Sequence, residues 1–179
     1  DNIYKAFKAN VPIVVGTTGW NKGFDKVKNW CNEYNGAILP SSNFSLGVNI
    51  FFEMNKQLSK IMNRQKSYSA KIRETHHTEK VDSPSGTAIT TAEIILEEMD
   101  HYSNWVSNTS NYGNKLPIIA KRQEGVAGTH QVIYESNIDE LSISHRAKNR
   151  DGFAIGAIIA AEFLYNKKGL FSMKDVVKF

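Results

Sequence analysis

Val11, Ile13, Val14 and Val15 form a short, almost unbroken apolar run that stops at Gly16. A strand with no polar alternation has both faces covered, as in a parallel sheet flanked by helices. Asn21 to Tyr34 then carries Phe24, Val27, Trp30 and Cys31 at helical spacing, and Ala37 to Leu39 is a second short apolar run closed by Pro40. Strand, helix, strand in that order is the grammar of a doubly wound α/β sheet.

The pattern then changes. Ile50, Phe51, Met54, Leu58, Ile61 and Met62 fall on one helical face, with Ser45 placed as an N-cap. Tyr68 to Thr75 alternates, Tyr68, Ala70 and Ile72 against Ser69, Lys71 and Arg73, which predicts a half-exposed strand. After Pro84 a helix turns Ala88, Ala92, Ile95, Leu96 and Met99 inward. His101 to Lys115 is polar and rich in Asn and Ser, and reads as a long loop. Pro117 to Lys121, Thr129 to Glu135 and Leu141 to His145 read as strands, and Phe153 to Leu164 as a helix buried on nearly every face. The expected architecture is α/β: part of a Rossmann-like sheet over residues 1–44, an α+β unit with a mixed sheet over 45–150, and a helix in 151–179 returning to the first part.

Bulk properties exclude several classes. With 41% hydrophobic and 22% charged residues in 179, the chain has an ordinary globular composition. No apolar run reaches membrane-span length, and no signal peptide is read at the opening, so no membrane partner is expected and the expected compartment is the cytoplasm. Cys31 is the sole cysteine, which excludes a disulfide framework. The net charge of +4 is mild, and Lys66 to Arg73 alternates its charges on a predicted strand, so no nucleic-acid surface is expected. An anionic small molecule is an equally good reason for a basic cleft.

Three loops could carry chemistry. Gly16-Thr17-Thr18-Gly19 follows the first strand, and Ser41-Ser42-Asn43-Phe44 follows the second. Ligands of open α/β sheets bind at the carboxyl ends of strands, so consecutive loops there are candidates for a cofactor edge, with a tight turn and a helix cap as the alternatives. The densest stretch runs from Glu74 to Ala88. There His76 and His77 close a strand, Lys80 follows, and Ser85-Gly86-Thr87 opens a helix whose free N–H groups suit an anion such as a carboxylate. Histidine can exchange a proton near neutral pH. Neighbours on a strand point to opposite faces, so His76 and His77 do different work unless the strand has ended. A His-His pair also raises the question of metal, but no third ligand lies at a recognisable spacing, and no metal is assigned.

The run His76-His77-x-x-Lys80-Val-Asp-Ser-Pro-Ser-Gly-Thr-Ala88 resembles the signature of the dihydrodipicolinate reductase family. Gly16 to Trp20, Ser42 to Asn49, Arg122 through Gly128-Thr129-His130, and His145 to Ala157 resemble further family blocks, in family order. The Lys80 to Thr87 block separates the chain from other two-domain nicotinamide enzymes, such as relatives of homoserine dehydrogenase. One departure stands at Arg122-Gln123-Glu124-Gly125, where the family pattern brings a glycine nearer the arginine or a glutamate directly after it.

The resemblance implies NADH- or NADPH-dependent reduction of 4-hydroxy-tetrahydrodipicolinate to tetrahydrodipicolinate, a step of lysine and diaminopimelate biosynthesis. It implies that His76 is the catalytic histidine and Lys80 the proton donor. His77, Ser85, Gly86 and Thr87 would bind the cyclic dicarboxylate substrate. Gly16, Thr17, Thr18, Ser41, Ser42, Asn43 and Phe44 would contact the cofactor, and Arg150 matches a family arginine near the site. The family assembles as a homotetramer through the substrate-domain sheet, so a tetramer, or at least a dimer, is expected. Family members begin with a strand, a G-x-x-G-x-x-G loop and a helix, a segment absent from these 179 residues. The alternative expectation is therefore a substrate-binding and oligomerisation module without catalytic competence.

Overall fold

The computed structural model describes residues 1–107 and 113–178. The chain divides into two compact units, residues 1–49 with 151–179, and residues 50–150.

The first unit holds a parallel sheet in the order β1-β2-β8, formed by β1 (Ile13–Val15), β2 (Ala37–Pro40) and β8 (Gly169–Leu170). Ile38 and Leu39 of β2 are both fully buried, one into each of two apolar clusters. Ile38 meets Phe7 of α1 (Asn2–Lys8) and Val27 and Cys31 of α2 (Phe24–Glu33). Leu39 meets Ala160 of α5 (Asp151–Phe163), Leu164, and Met173 of α6 (Met173–Val177). Helices on both faces explain why these strands lack polar alternation. The sequence patterns did not identify α1, β8 or α6, all of them short.

The expectation of a helix buried all round fails for α5. Gly156 and Ala160 are buried, but Phe153 is 42% exposed, Ile155 55% and Ile158 59%. The helix meets its unit through Gly156 and Ala160, four apart and small enough for a close approach, with Ala157 and Phe163 packed beside them, while Phe153, Ile155 and Ile158 stand away from that contact.

The second unit is built on a mixed sheet in the order β4-β5-β3-β6-β7. Its strands are β3 (Ser69–His76), β4 (Asn104–Ser107), β5 (Lys115–Arg122), β6 (Gly128–Glu135) and β7 (Glu140–Ala147). β3 is parallel to β5 and antiparallel to β6. One face packs against α3 (Leu46–Met62) and α4 (Gly86–Glu98), joining Phe51, Met62, Ala88, Ala92 and Ile95 to Ile72, Ile118, Val132 and Tyr134. The apolar face of the strands is thus covered within the unit, and the opposite face carries Lys71, Arg73, Gln131, Ser142 and Ser144 alongside Ile119 and the buried Ile133. The long loop expected over His101 to Lys115 is broken by β4, a parallel edge strand on β5. Its polar Asn104 and Ser107 hid it, because an edge strand needs cover on only one side. Residues 108–112 of that expected loop lie outside the described residues.

Candidate functional site

Along β3 the helix-facing row runs Ala70, Ile72, Glu74, His76. The first two belong to the core, and the last two continue it in polar form. The register brings His130 of β6 opposite Glu74, His145 of β7 opposite His130, and Arg122 of β5 opposite His76, all on that same face. One end of the sheet thus gathers a polar cluster from four strands.

Glu74 is its centre, with a side chain wholly removed from solvent. Its Oε1 accepts from the Ser85 backbone N–H at 3.0 Å and lies 3.6 Å from Arg122 Nη1. Its Oε2 lies 3.3 Å from His76 Nδ1 and 3.7 Å from His130 Nε2. Burial alone would raise the Glu74 pKa, but His130, His76 and Ser85 outweigh it and hold the carboxyl below its ordinary range. His130 is pushed the other way: burial holds its pKa below the usual histidine value, against the pull of Glu74. Its Nε2 meets Ser85 Oγ at 3.1 Å, and its ring stands edge-on to His76 at 4.9 Å.

The turn after β3 is clamped from beneath. Arg122 Nε donates to the Lys80 carbonyl at 3.2 Å and Nη2 to the Asp82 carbonyl at 2.5 Å. The Lys80 ammonium pairs with Asp82 Oδ1 at 2.7 Å and holds the Asp82 carboxyl below its usual pKa. Gly128 lies against His76, where an added Cβ would come 3.1 Å from Nε2. Ser85 caps α4, its Oγ accepting from Ala88 N–H at 3.2 Å, while Gly86 is exposed and Thr87 half-buried in the first turn. β3 ends at His76, and His77 is half-buried just beyond it.

The structure therefore brings His76, Lys80, Ser85, Gly86 and Thr87 to one end of the second unit. Ser85 points its hydroxyl inward, to the cap and His130, and not into the open turn. Sequence reasoning missed Glu74, Arg122 and His130 as working parts. Their only signal was membership of the quoted blocks, because strand register, not spacing, brings them together. Glu74, His76 and His130 offer ligand atoms within 4.8 Å of one another, the arrangement among the described residues that could hold a metal ion. Two of these groups already have protein partners in Ser85 and Arg122.

The depressed Glu74 pKa has a consequence for stability. A carboxyl whose folded pKa lies below its unfolded value stabilises the fold above the unfolded value, near 4.5, and loses that contribution as pH falls toward the folded one. Thermal melts at pH 7 and pH 3 are expected to show a smaller acid-induced drop in Tm for Glu74→Gln than for the wild type. An equal drop in both would mean that Glu74 carries no such linkage.

In the first unit, the loops after β1 and β2 lie side by side. Ser41 N–H donates to the Val15 carbonyl at 3.0 Å, and a Cβ on Gly16 would touch the Phe44 ring at 3.4 Å. Ser41 and Asn43 tie their own loop together through Ser41 Oγ to the Asn43 carbonyl at 2.8 Å and Ser45 N–H to Asn43 Oδ1 at 2.9 Å. Phe44 is buried in the core. A cavity of about 380 Å³ borders Gly16, Thr17 and Trp20 together with Asn2 and Ile3. Both loops stand at the carboxyl ends of adjacent parallel strands, the edge where open α/β sheets bind ligands. Arg150 is exposed.

Residues 47–177 match the family model for the C-terminus of dihydrodipicolinate reductase. A 4-hydroxy-tetrahydrodipicolinate reductase of Christiangramia forsetii is 49% identical over 176 residues, covering 98% of this chain and 73% of that protein. The enzyme of the same name from Methanopyrus kandleri is 34% identical, covering 99% of this chain and 66% of its own length. Among solved structures, dipicolinate-bound dihydrodipicolinate reductase from Paenisporosarcina sp. TG-14 superposes with a TM-score of 0.79 at 21% identity, over 96% of this chain and 66% of that one, and so shares the fold. The chain spans between about two thirds and three quarters of the length of these relatives.

Proposed function

The chain belongs to the dihydrodipicolinate reductase family, and from that membership we propose that it carries the substrate site of an NAD(P)H-dependent 4-hydroxy-tetrahydrodipicolinate reductase. The observation that supports this most directly is the meeting of His76, the clamped Lys80 turn and the capped N-terminus of α4 at one end of one sheet. The shared name of the relatives favours the reductase over a binding module without catalysis.

The roles divide by charge. The N–H groups and Thr87 hydroxyl at the start of α4 hold a carboxylate, where the helix N-terminus is positive. The Lys80 ammonium, held near Asp82, is free to exchange that partner for an anionic substrate. His76 and Lys80 together supply the proton that the reaction takes up as hydride is delivered and the 4-hydroxyl leaves as water. Gly16, Thr17 and Thr18, with the Ser41 to Phe44 loop, hold the nicotinamide cofactor, which when bound supplies the hydride. The natural protein, incubated with NADH or NADPH and freshly generated substrate, is expected to consume cofactor only when substrate is present. No consumption with either nucleotide would defeat the reading.

The open face of the second unit's sheet is the proposed seat of self-association. It is polar with Ile119 40% exposed at its surface, a composition compatible with an interface between copies. A homotetramer, or at minimum a dimer, is expected in sedimentation velocity at micromolar concentration. A monomer there rules the interface out.

A further inference from the structure

Resting on the reductase reading, we infer that Glu74 is the positioning residue of the site: it sets the tautomer and orientation of His76 through Nδ1 and ties that ring to the Lys80 turn through Arg122. The geometry is that of a buried relay. Glu74 Oε2 and His76 Nδ1 are both buried and lie 3.3 Å apart, and neither has a hydrogen-bond partner among the described residues, His130 Nε2 standing farther from Oε2 at 3.7 Å. Buried polar atoms of this kind are costly unless paired, so each is the other's natural partner. Pairing with an ionised carboxylate requires a proton on Nδ1. A neutral His76 then carries its free lone pair on Nε2, the nitrogen beside Gly128, and a charged one presents an Nε2–H donor there.

Two further contacts fix Glu74 itself. The Ser85 N–H and Arg122 hold Oε1, and His130, whose Nε2 is occupied by Ser85 Oγ, forms the wall against which the His76 ring stands. Arg122 Nε and Nη2 donate to the carbonyls of Lys80 and Asp82, and Nη1 also to that of Lys121. One carboxylate therefore links the cap of α4, the base of the Lys80 turn and the ring of His76. A change at Glu74 moves all three, although Glu74 itself, with no exposed surface, has no route to the substrate.

The test uses the natural protein with ¹⁵N-labelled histidine, the His76 signals being assigned by their loss in His76→Gln. The wild type is expected to show the Nδ1–H form of neutral His76. In Glu74→Gln the amide can donate to Nδ1, so the Nε2–H form gains and kcat falls by about 10-fold or more, a part of the 10²–10⁴-fold scale of general acid–base catalysis. KM is expected to move much less. Should Glu74→Gln fail to fold, Glu74→Asp carries the test: it keeps the charge beside Arg122 but withdraws the carboxylate from Nδ1, and kcat is expected to fall while dipicolinate still binds. Nε2–H as the wild-type form, unaltered kcat in a folded Glu74→Gln protein, or stoichiometric metal bound through Glu74 and His76 would each overturn the inference. An inactive wild-type protein would defeat the reductase reading instead, and the tautomer, which needs no substrate, would still decide the role of Glu74.

Discussion

In the natural protein, His76→Ala and Lys80→Ala are each expected to lower kcat by about 10²-fold or more, the scale of a lost general acid, with KM moving much less. The reason is where charge changes. On the proposed reading, the reaction takes up a proton only as hydride arrives and the 4-hydroxyl leaves as water, so groups that deliver that proton bind more strongly in the transition state than in the ground state. Removing such groups lowers kcat. In the proposed role Thr87 would hold a carboxylate whose charge is constant through the reaction, so Thr87→Ala should weaken both states alike and mainly raise KM. The backbone there is already fixed, Thr91 Oγ1 donating to the Thr87 carbonyl at 2.7 Å, so the variant removes a hydroxyl and not the turn. Steady-state kinetics separates the two classes. Near-normal kcat in the His76→Ala, Lys80→Ala double variant would return the cluster to a structural role.

Gly156→Ala is expected to be the most damaging single methyl in the first unit. A Cβ at Gly156 would fall 1.8 Å from the Phe44 carbonyl oxygen and 2.7 Å from its carbonyl carbon. Both are backbone atoms, so no side chain can swing away, and either α5 or the loop after β2 must move. Overpacking typically costs about 1–3 kcal/mol, and rigid backbone on both sides places this case at the upper end. At about 2–4 °C per kcal/mol for a chain of this size, Tm should fall by about 6–12 °C. The displaced loop is Ser41 to Phe44, so cofactor affinity should fall with it. An unchanged melting curve would mean that α5 does not rest on Phe44.

Much of this was legible from side-chain spacing. The buried strands at Val15 and Leu39, the helices after Ser45 and Ser85, and the alternating strand ending at His76 all announce themselves, because burial on one face or two imposes a period on the sequence. The loop motifs at Gly16 and at Lys80 to Thr87 were visible because small, polar and charged residues interrupt that period at strand ends. Spacing failed where an element had weak periodicity or one-sided cover: the polar edge strand β4, the short helices α1 and α6, and the apolar helix α5, whose composition looked more buried than its contacts are.

The sequence by itself determined the α/β class and the family, and it supplied the candidates proposed to touch a ligand, because those depend on local pattern and on an ordered motif. Tertiary structure alone decided what stands behind them. Glu74, Arg122 and His130 are far apart in the chain, and only the register of β3 between β5 and β6 sets them on one face, one step beyond the last apolar residues of the core. The same register that completes the core also removes water from Glu74, and a carboxylate without water must be held by whatever its neighbouring strands bring to it.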